Sequence, residues 1–109
     1  MFCTIEIQAK EEIMAVKILI KRAFKEGTRK DASAMLIKSR AIAIEQSGYI
    51  ASETLVSYDD PNTILVMSMW QTKEDWDNYK KSAARKENER NYARIMDGVA
   101  EYEIYKIGI

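Results

Sequence analysis

The chain contains no histidine and a single cysteine, Cys3, among 109 residues. Lacking imidazole, it lacks the commonest general base, the commonest metal ligand and the usual proximal haem ligand. One thiol cannot form an internal disulfide, which suits a reducing cytoplasmic setting. Excess charge of either sign is also missing: 17 Lys and Arg balance 17 Asp and Glu. Bulk electrostatics therefore exerts no pull toward nucleic acid or a membrane surface. No apolar run approaches the roughly 20 residues of a membrane span. Residues 1–12 lack the basic-then-apolar order of a signal peptide. The sequence also has no internal repeat, low-complexity tract or linker.

What is present is the composition of one globular domain with a single core, 47% hydrophobic and 31% charged. Met14 to Phe24 reads as a first strand, and its stretch from Ala15 to Ile20 is apolar enough to be buried on both faces. Gly27-Thr28 breaks it. Helical spacing of Ala32, Met35, Leu36, Ser39, Ile42 and Ala43 predicts a helix from an Asp31 N-cap to Gln46, stopped by Gly48. Tyr49 to Tyr58 and Thr63 to Trp70 read as strands joined by an Asp59-Asp60-Pro61-Asn62 turn. Thr72 and Asp75 resemble a capping box. The helix after them carries Trp76, Tyr79 and Ala83, is interrupted by the polar run from Arg85 to Asn91, and ends near Gly98 as two consecutive segments. Val99 to Ile109 is the last strand.

The order β-α-β-β-α-β predicts an α+β, ferredoxin-like domain with a four-stranded antiparallel sheet and helices on one face. Strands one and three are central in that topology, and they are the two that read apolar on both faces. Two helices cover one sheet face only. The apolar side chains left on the other predict a homodimer packed sheet on sheet, a dimeric α+β barrel, with Ile18 or Val66, whichever points away from the helices, in the contact. Residues 14–109 form the expected domain. Residues 1–13 read as an extension in which Thr4 to Gln8 alternate as a short strand would; a loose tail is the other reading.

The most informative stretch runs from Met69 to Ser82. A strand ends in Trp70, a turn caps a helix, and the helix presents Trp76 and Tyr79 on one face. This resembles the antibiotic biosynthesis monooxygenase (ABM) family, whose members carry a Trp at the end of strand three, aromatics six and nine residues on and, in a haem-degrading branch, a Ser twelve on. Those positions here are Trp70, Trp76, Tyr79 and Ser82. In that branch the catalytic Trp falls on Tyr79, the proximal His on Glu89 and a strand-one Asn near Ile20, so the resemblance does not extend to haem degradation. The quinone-forming branch matches better. It implies Trp70 and Arg90 as catalytic residues and Trp70, Trp76 and Tyr79 as substrate-binding ones, with Val66 where that branch has Asn. It also implies chemistry without metal, flavin or other cofactor on a small aromatic or quinonoid metabolite. Arg90 would steady a substrate anion, and the three aromatics would wall a flat ring.

Blander assignments stand beside these. Trp70, Trp76 and Tyr79 also fit a helix-sheet core, and Arg90 a solvated charge. The basic excess between Lys80 and Arg94 fits either an anion-attracting rim or a solvated helix face. Neither central strand has the basic-aromatic pattern of an RNA-binding sheet. Two functions therefore follow: a cofactor-independent monooxygenase, or a non-catalytic ligand-binding or regulatory dimer on the same fold.

Overall fold

The computed structural model describes residues 15–108. The proposed extension of residues 1–13, its Thr4 to Gln8 strand, Cys3 and the outer ends of the first and last strands lie outside these. In chain order the elements are β1 (Val16–Ala23), α1 (Arg29–Ile44), β2 (Tyr49–Val56), β3 (Thr63–Trp70), α2 (Lys73–Lys80), α3 (Ala83–Asn91), a 3₁₀ turn (Ala93–Ile95) and β4 (Glu101–Lys106). The strands form one sheet in the order β2-β3-β1-β4, with every neighbouring pair antiparallel. This is the expected α+β ferredoxin-like arrangement, with β1 and β3 in the centre. Among the described residues no helix is long and apolar enough to cross a membrane.

Period-two alternation in β1 decides the layering. Val16, Ile18, Ile20, Arg22 and Phe24 are buried, while Lys17, Leu19 and Lys21 between them are not. Val16, Ile18 and Ile20 meet Ile42 and Ala43 of α1, Trp70 of β3 and Trp76 and Tyr79 of α2 in one cluster. Phe24 meets Ala32, Met35 and Ile95 in a second. In register, Leu19 lies opposite Met67 and Lys21 opposite Leu65. The face that the described residues leave uncovered is thus a half-buried stripe of Leu19, Leu65, Met67 and Met69 edged by lysines and, from β4, Glu101 and Glu103. Ile18 and Val66, both considered as carriers of the open face, point instead into the core.

Local ends differ from the sequence expectation for identifiable reasons. The α1 N-cap is Thr28, not Asp31. Its hydroxyl donates to the Lys25 carbonyl at 2.6 Å and caps nothing. Asp31 sits inside the first turn, where a carboxylate suits the helix dipole, and accepts from Arg94 at 3.3 Å. Thr72 does cap α2: its Oγ1 accepts from the Asp75 amide at 3.1 Å. Asp60 organises the β2-β3 turn, accepting from the Asn62 amide at 3.0 Å and the Thr63 hydroxyl at 2.7 Å.

Candidate functional site

A cavity of about 40 Å3 lies between α1 and the sheet. Its apolar wall comes from Ile20, Leu36, Val66 and the rings of Trp70 and Tyr79. Each strand residue faces it because it is even-numbered on β1 or β3 and so shares the helix-covered side. Trp70 is fully buried at the end of β3. Its indole Nε1 donates to Ser68 Oγ at 3.1 Å, which satisfies the only polar atom that side chain has. Tyr79 stacks on it, and Trp76 tilts against both at 6.2 and 5.8 Å between ring centroids.

The three aromatics chosen from the sequence are therefore brought together, but unequally. Trp70 and Tyr79 line the cavity. Trp76 stands behind them, 1% exposed, and packs toward Tyr102 of β4. Ser82 is a helix cap, its Oγ accepting from the Arg85 amide at 3.3 Å. Arg90 is exposed on α3 and does not line the cavity. The helix repeat explains this: residues 85 and 88 of α3 face inward, and 90 falls on the opposite side.

The guanidinium at the site belongs to Arg85, which is 5% exposed. It donates to the Tyr102 hydroxyl at 2.9 Å and lies 3.3 Å from Glu89. Its carbon also sits 5.5 Å from the Tyr79 ring and 5.7 Å from that of Trp76, within cation-π range. Burial on its own would lower its pKa. The Tyr102 hydrogen bond and its attraction to Tyr102, Glu89 and Tyr79 outweigh that, and the net shift is upward. Burial pushes the Tyr79 phenol above its ordinary 10.0, against the pull of Arg85.

A second buried arginine, Arg22 of β1, is 3% exposed and donates to the same Glu89 carboxylate. Glu89 thus bridges two arginines from different layers. Asn88 fixes α3 beside them by donating to the Met35 carbonyl at 3.1 Å and to Ser39 Oγ at 2.9 Å.

The sequence reading missed both arginines. Arg22 had a visible signal, a charge at an inward position of a strand otherwise apolar on that face. Arg85 had one too, an i,i+4 partner in Glu89 inside the run read as polar.

The family model for antibiotic biosynthesis monooxygenases matches residues 15–91, more than half of the chain. The chain belongs to the ABM family. Solved structures similar to it include a Nitrosomonas europaea protein assigned to antibiotic biosynthesis monooxygenases, with TM-score 0.79 and 17% identity over 85% of this chain and 89% of that one. A conserved Methanosarcina mazei protein gives 0.78 and 15% identity over 89% and 96%. SnoaB from Streptomyces nogalater, a cofactor-independent oxygenase, gives 0.78 and 10% identity over 88% and 95%. No curated protein sequence matches significantly. At such identities the structures speak for the ABM fold and leave the reaction to the site.

Proposed function

We propose that this ABM-family chain is a cofactor-independent monooxygenase of a small aromatic or quinonoid metabolite, working as a homodimer. The observation that carries the reading is the buried Arg85 guanidinium set beside a wall of stacked Trp70 and Tyr79. An electron-rich phenol entering this cavity ionises more readily near a fixed positive charge. Its anion then passes electrons to dioxygen. One oxygen atom becomes the new ring carbonyl. The other leaves as water with the hydrogens of the phenol O–H and the ring C–H, so the substrate supplies every electron and no external reductant is required. In this reading Arg85 takes the anion-stabilising role that the resemblance assigned to Arg90. Trp70 and Tyr79 position the ring, with Trp76 supporting them from behind.

The dimer is supported by the open sheet face. Leu19, Leu65, Met67 and Met69 form a contiguous apolar stripe across its centre, and a second copy would cover it.

A second reading has its own support. The cavity of about 40 Å3 is smaller than a bicyclic phenol, and Val66 lines it where quinone-forming relatives carry Asn. Both features suit a dimer that binds a small ligand without turning it over. Oxygen consumption with a panel of dihydroxynaphthalene-type phenols separates the two. Uptake of one dioxygen per quinone formed is expected of the enzyme. Ligand binding with no uptake across the panel defeats the enzyme and leaves the binding dimer.

A further inference from the structure

The polar side of the cavity is short of acceptors. Arg22, Arg40 and Arg85 all line it, together with hydroxyl groups, and among the described residues no carboxylate does. Among the described residues Arg22 Nε is buried without a hydrogen-bond partner. Ser68 Oγ already accepts from Trp70, and Ser39 Oγ from Asn88, so each has its own proton left to donate. The buried charges do not balance either. Arg22 and Arg85 carry two positive charges and share one carboxylate, Glu89. An unpaired donor on a buried cation, beside a net positive charge, is costly unless something completes it.

A second cavity of about 120 Å3 lies beyond this one under α1. The two share Leu36 and Thr54, and the far one is lined by Phe24, Ala32, Pro61 and Ile64 among others. The two are neighbours beneath α1 and along β2, the near one electropositive and rich in donors, the far one mostly apolar with Arg29, Ser33 and Asn62 on its wall.

We propose that these neighbouring cavities take an aryl carboxylate, its carboxylate received at the Arg22 guanidinium and the Ser39 and Ser68 hydroxyls, its ring lying toward Leu36. The carboxylate supplies an anionic acceptor that the cavity wall lacks and neutralises the surplus charge of the Arg22–Glu89–Arg85 group. A neutral amide of the same shape does neither. The inference rests on the reading of this cavity as the ligand site, and it holds whether or not the ligand is oxidised there.

The test compares 2-naphthoate with 2-naphthamide and 2-naphthol by calorimetry at pH 7 and constant ionic strength, with the full chain. One naphthoate per subunit is expected, bound roughly tenfold or more tighter than the amide, the scale of one charge-assisted hydrogen bond. Naphthol tests a phenol as the source of the oxyanion: if it binds as tightly as naphthoate, the carboxylate assignment is overturned. Arg22→Gln is expected to reduce naphthoate binding to the amide's level. Because that variant unpairs Glu89 and can fail to fold, Glu89→Gln provides the second arm. Removing its carboxylate raises the net positive charge, so naphthoate should bind several-fold tighter and raise the melting temperature more than in the parent. Equal binding of acid and amide, or weaker naphthoate binding by folded Glu89→Gln, overturns the proposal. Oxygen uptake is measured separately, so naphthoate binding without uptake sinks the oxygenase and leaves this inference standing.

Discussion

Tyr79 stacks on Trp70 with ring centroids 5.0 Å apart and 25° between the planes. Its hydroxyl reaches past the stack to donate to the Ser39 carbonyl at 3.2 Å. One side chain of α2 therefore holds the end of β3 and the middle of α1 together. The cavity wall and the hydrophobic core are the same residues, so replacing either ring changes stability and site at once. The groups that can be varied with less damage to packing are the charged ones.

Arg85 and Arg90 form the most direct comparison. Both lie on α3, one buried among aromatic rings and the other in solvent. Arg85→Gln is expected to slow oxygen uptake about a hundredfold, the usual cost of removing one preorganised donor from a developing anion. Arg90→Gln should leave the rate within about twofold of the parent, as expected for a solvated charge. An oxygen electrode gives the rates, and circular dichroism verifies that both variants are folded. A large effect from Arg90 with none from Arg85 would return the role to the residue that the family resemblance selected.

The dimer has a similarly specific test. Leu19 and Met67 face each other across the two central strands on the uncovered side. Leu19→Asp or Met67→Asp should give a folded monomer by light scattering, because burying an unpaired carboxylate at an interface costs several kcal/mol. Ile37→Asp, on the 70% exposed outer face of α1, should remain dimeric. If the unmodified protein already scatters as a monomer, the sheet-on-sheet arrangement is wrong.

How far the sequence led is clear from particular residues. Strand order and the central place of β1 and β3 were legible because alternation and apolar runs are local signals. The pairing of Trp70, Trp76 and Tyr79 was legible from spacing and family resemblance. Which of them would face a cavity was not, since Trp76 and Tyr79 share a helix face and differ only in what lies across from them. The open face was misplaced by one residue: Ile18 and Val66 were candidates, and their neighbours Leu19 and Met67 carry it. A one-residue shift reverses every side chain in a strand, and a strand apolar at successive positions does not announce its phase. The Arg22–Glu89 contact spans 67 residues, and no local pattern reports such a pairing.

Gly48 and Gly27 test the frame that holds α2. Both have positive φ, 86° and 81°. A Cβ on Gly27 would meet nothing within 4 Å, whereas one on Gly48 would lie 2.1 Å from Asp75 Oδ2 and 2.5 Å from Asp75 Cβ. Gly27→Ala should cost about 1–2 kcal/mol, the strain of a left-handed alanine. Gly48→Ala should cost clearly more, because the first turn of α2 must shift as well. Urea midpoints measure both, and equal losses would show that Asp75 moves aside freely.

Haem should not bind in a defined ratio. The position where haem-degrading relatives place their proximal His is Glu89, which is engaged with Arg22 and Arg85, and the chain has no histidine to substitute. Titration is expected to give a broad, unsaturating absorbance rather than a sharp Soret band. A band saturating at one haem per subunit and bleaching with reductant would refute this.

The last prediction concerns alkaline pH. Burial raises the Tyr79 phenol above 10.0, so the folded chain holds this proton more tightly than the unfolded chain does. Between 10.0 and the raised value the folded state binds more protons, and stability must fall as pH climbs through that window. Below it the contribution is fully present. Tyr79→Phe removes the titration and also the hydrogen bond to Ser39, which costs about 1 kcal/mol when the phenol is neutral. The variant should therefore have the lower urea midpoint near about pH 8 and lose less than the parent on going to about pH 11, so that the gap narrows or reverses. Parallel losses in the two proteins would mean that the phenol is not held neutral by burial, and that Trp70 and Tyr79 enclose a wetter site than the stacked geometry indicates.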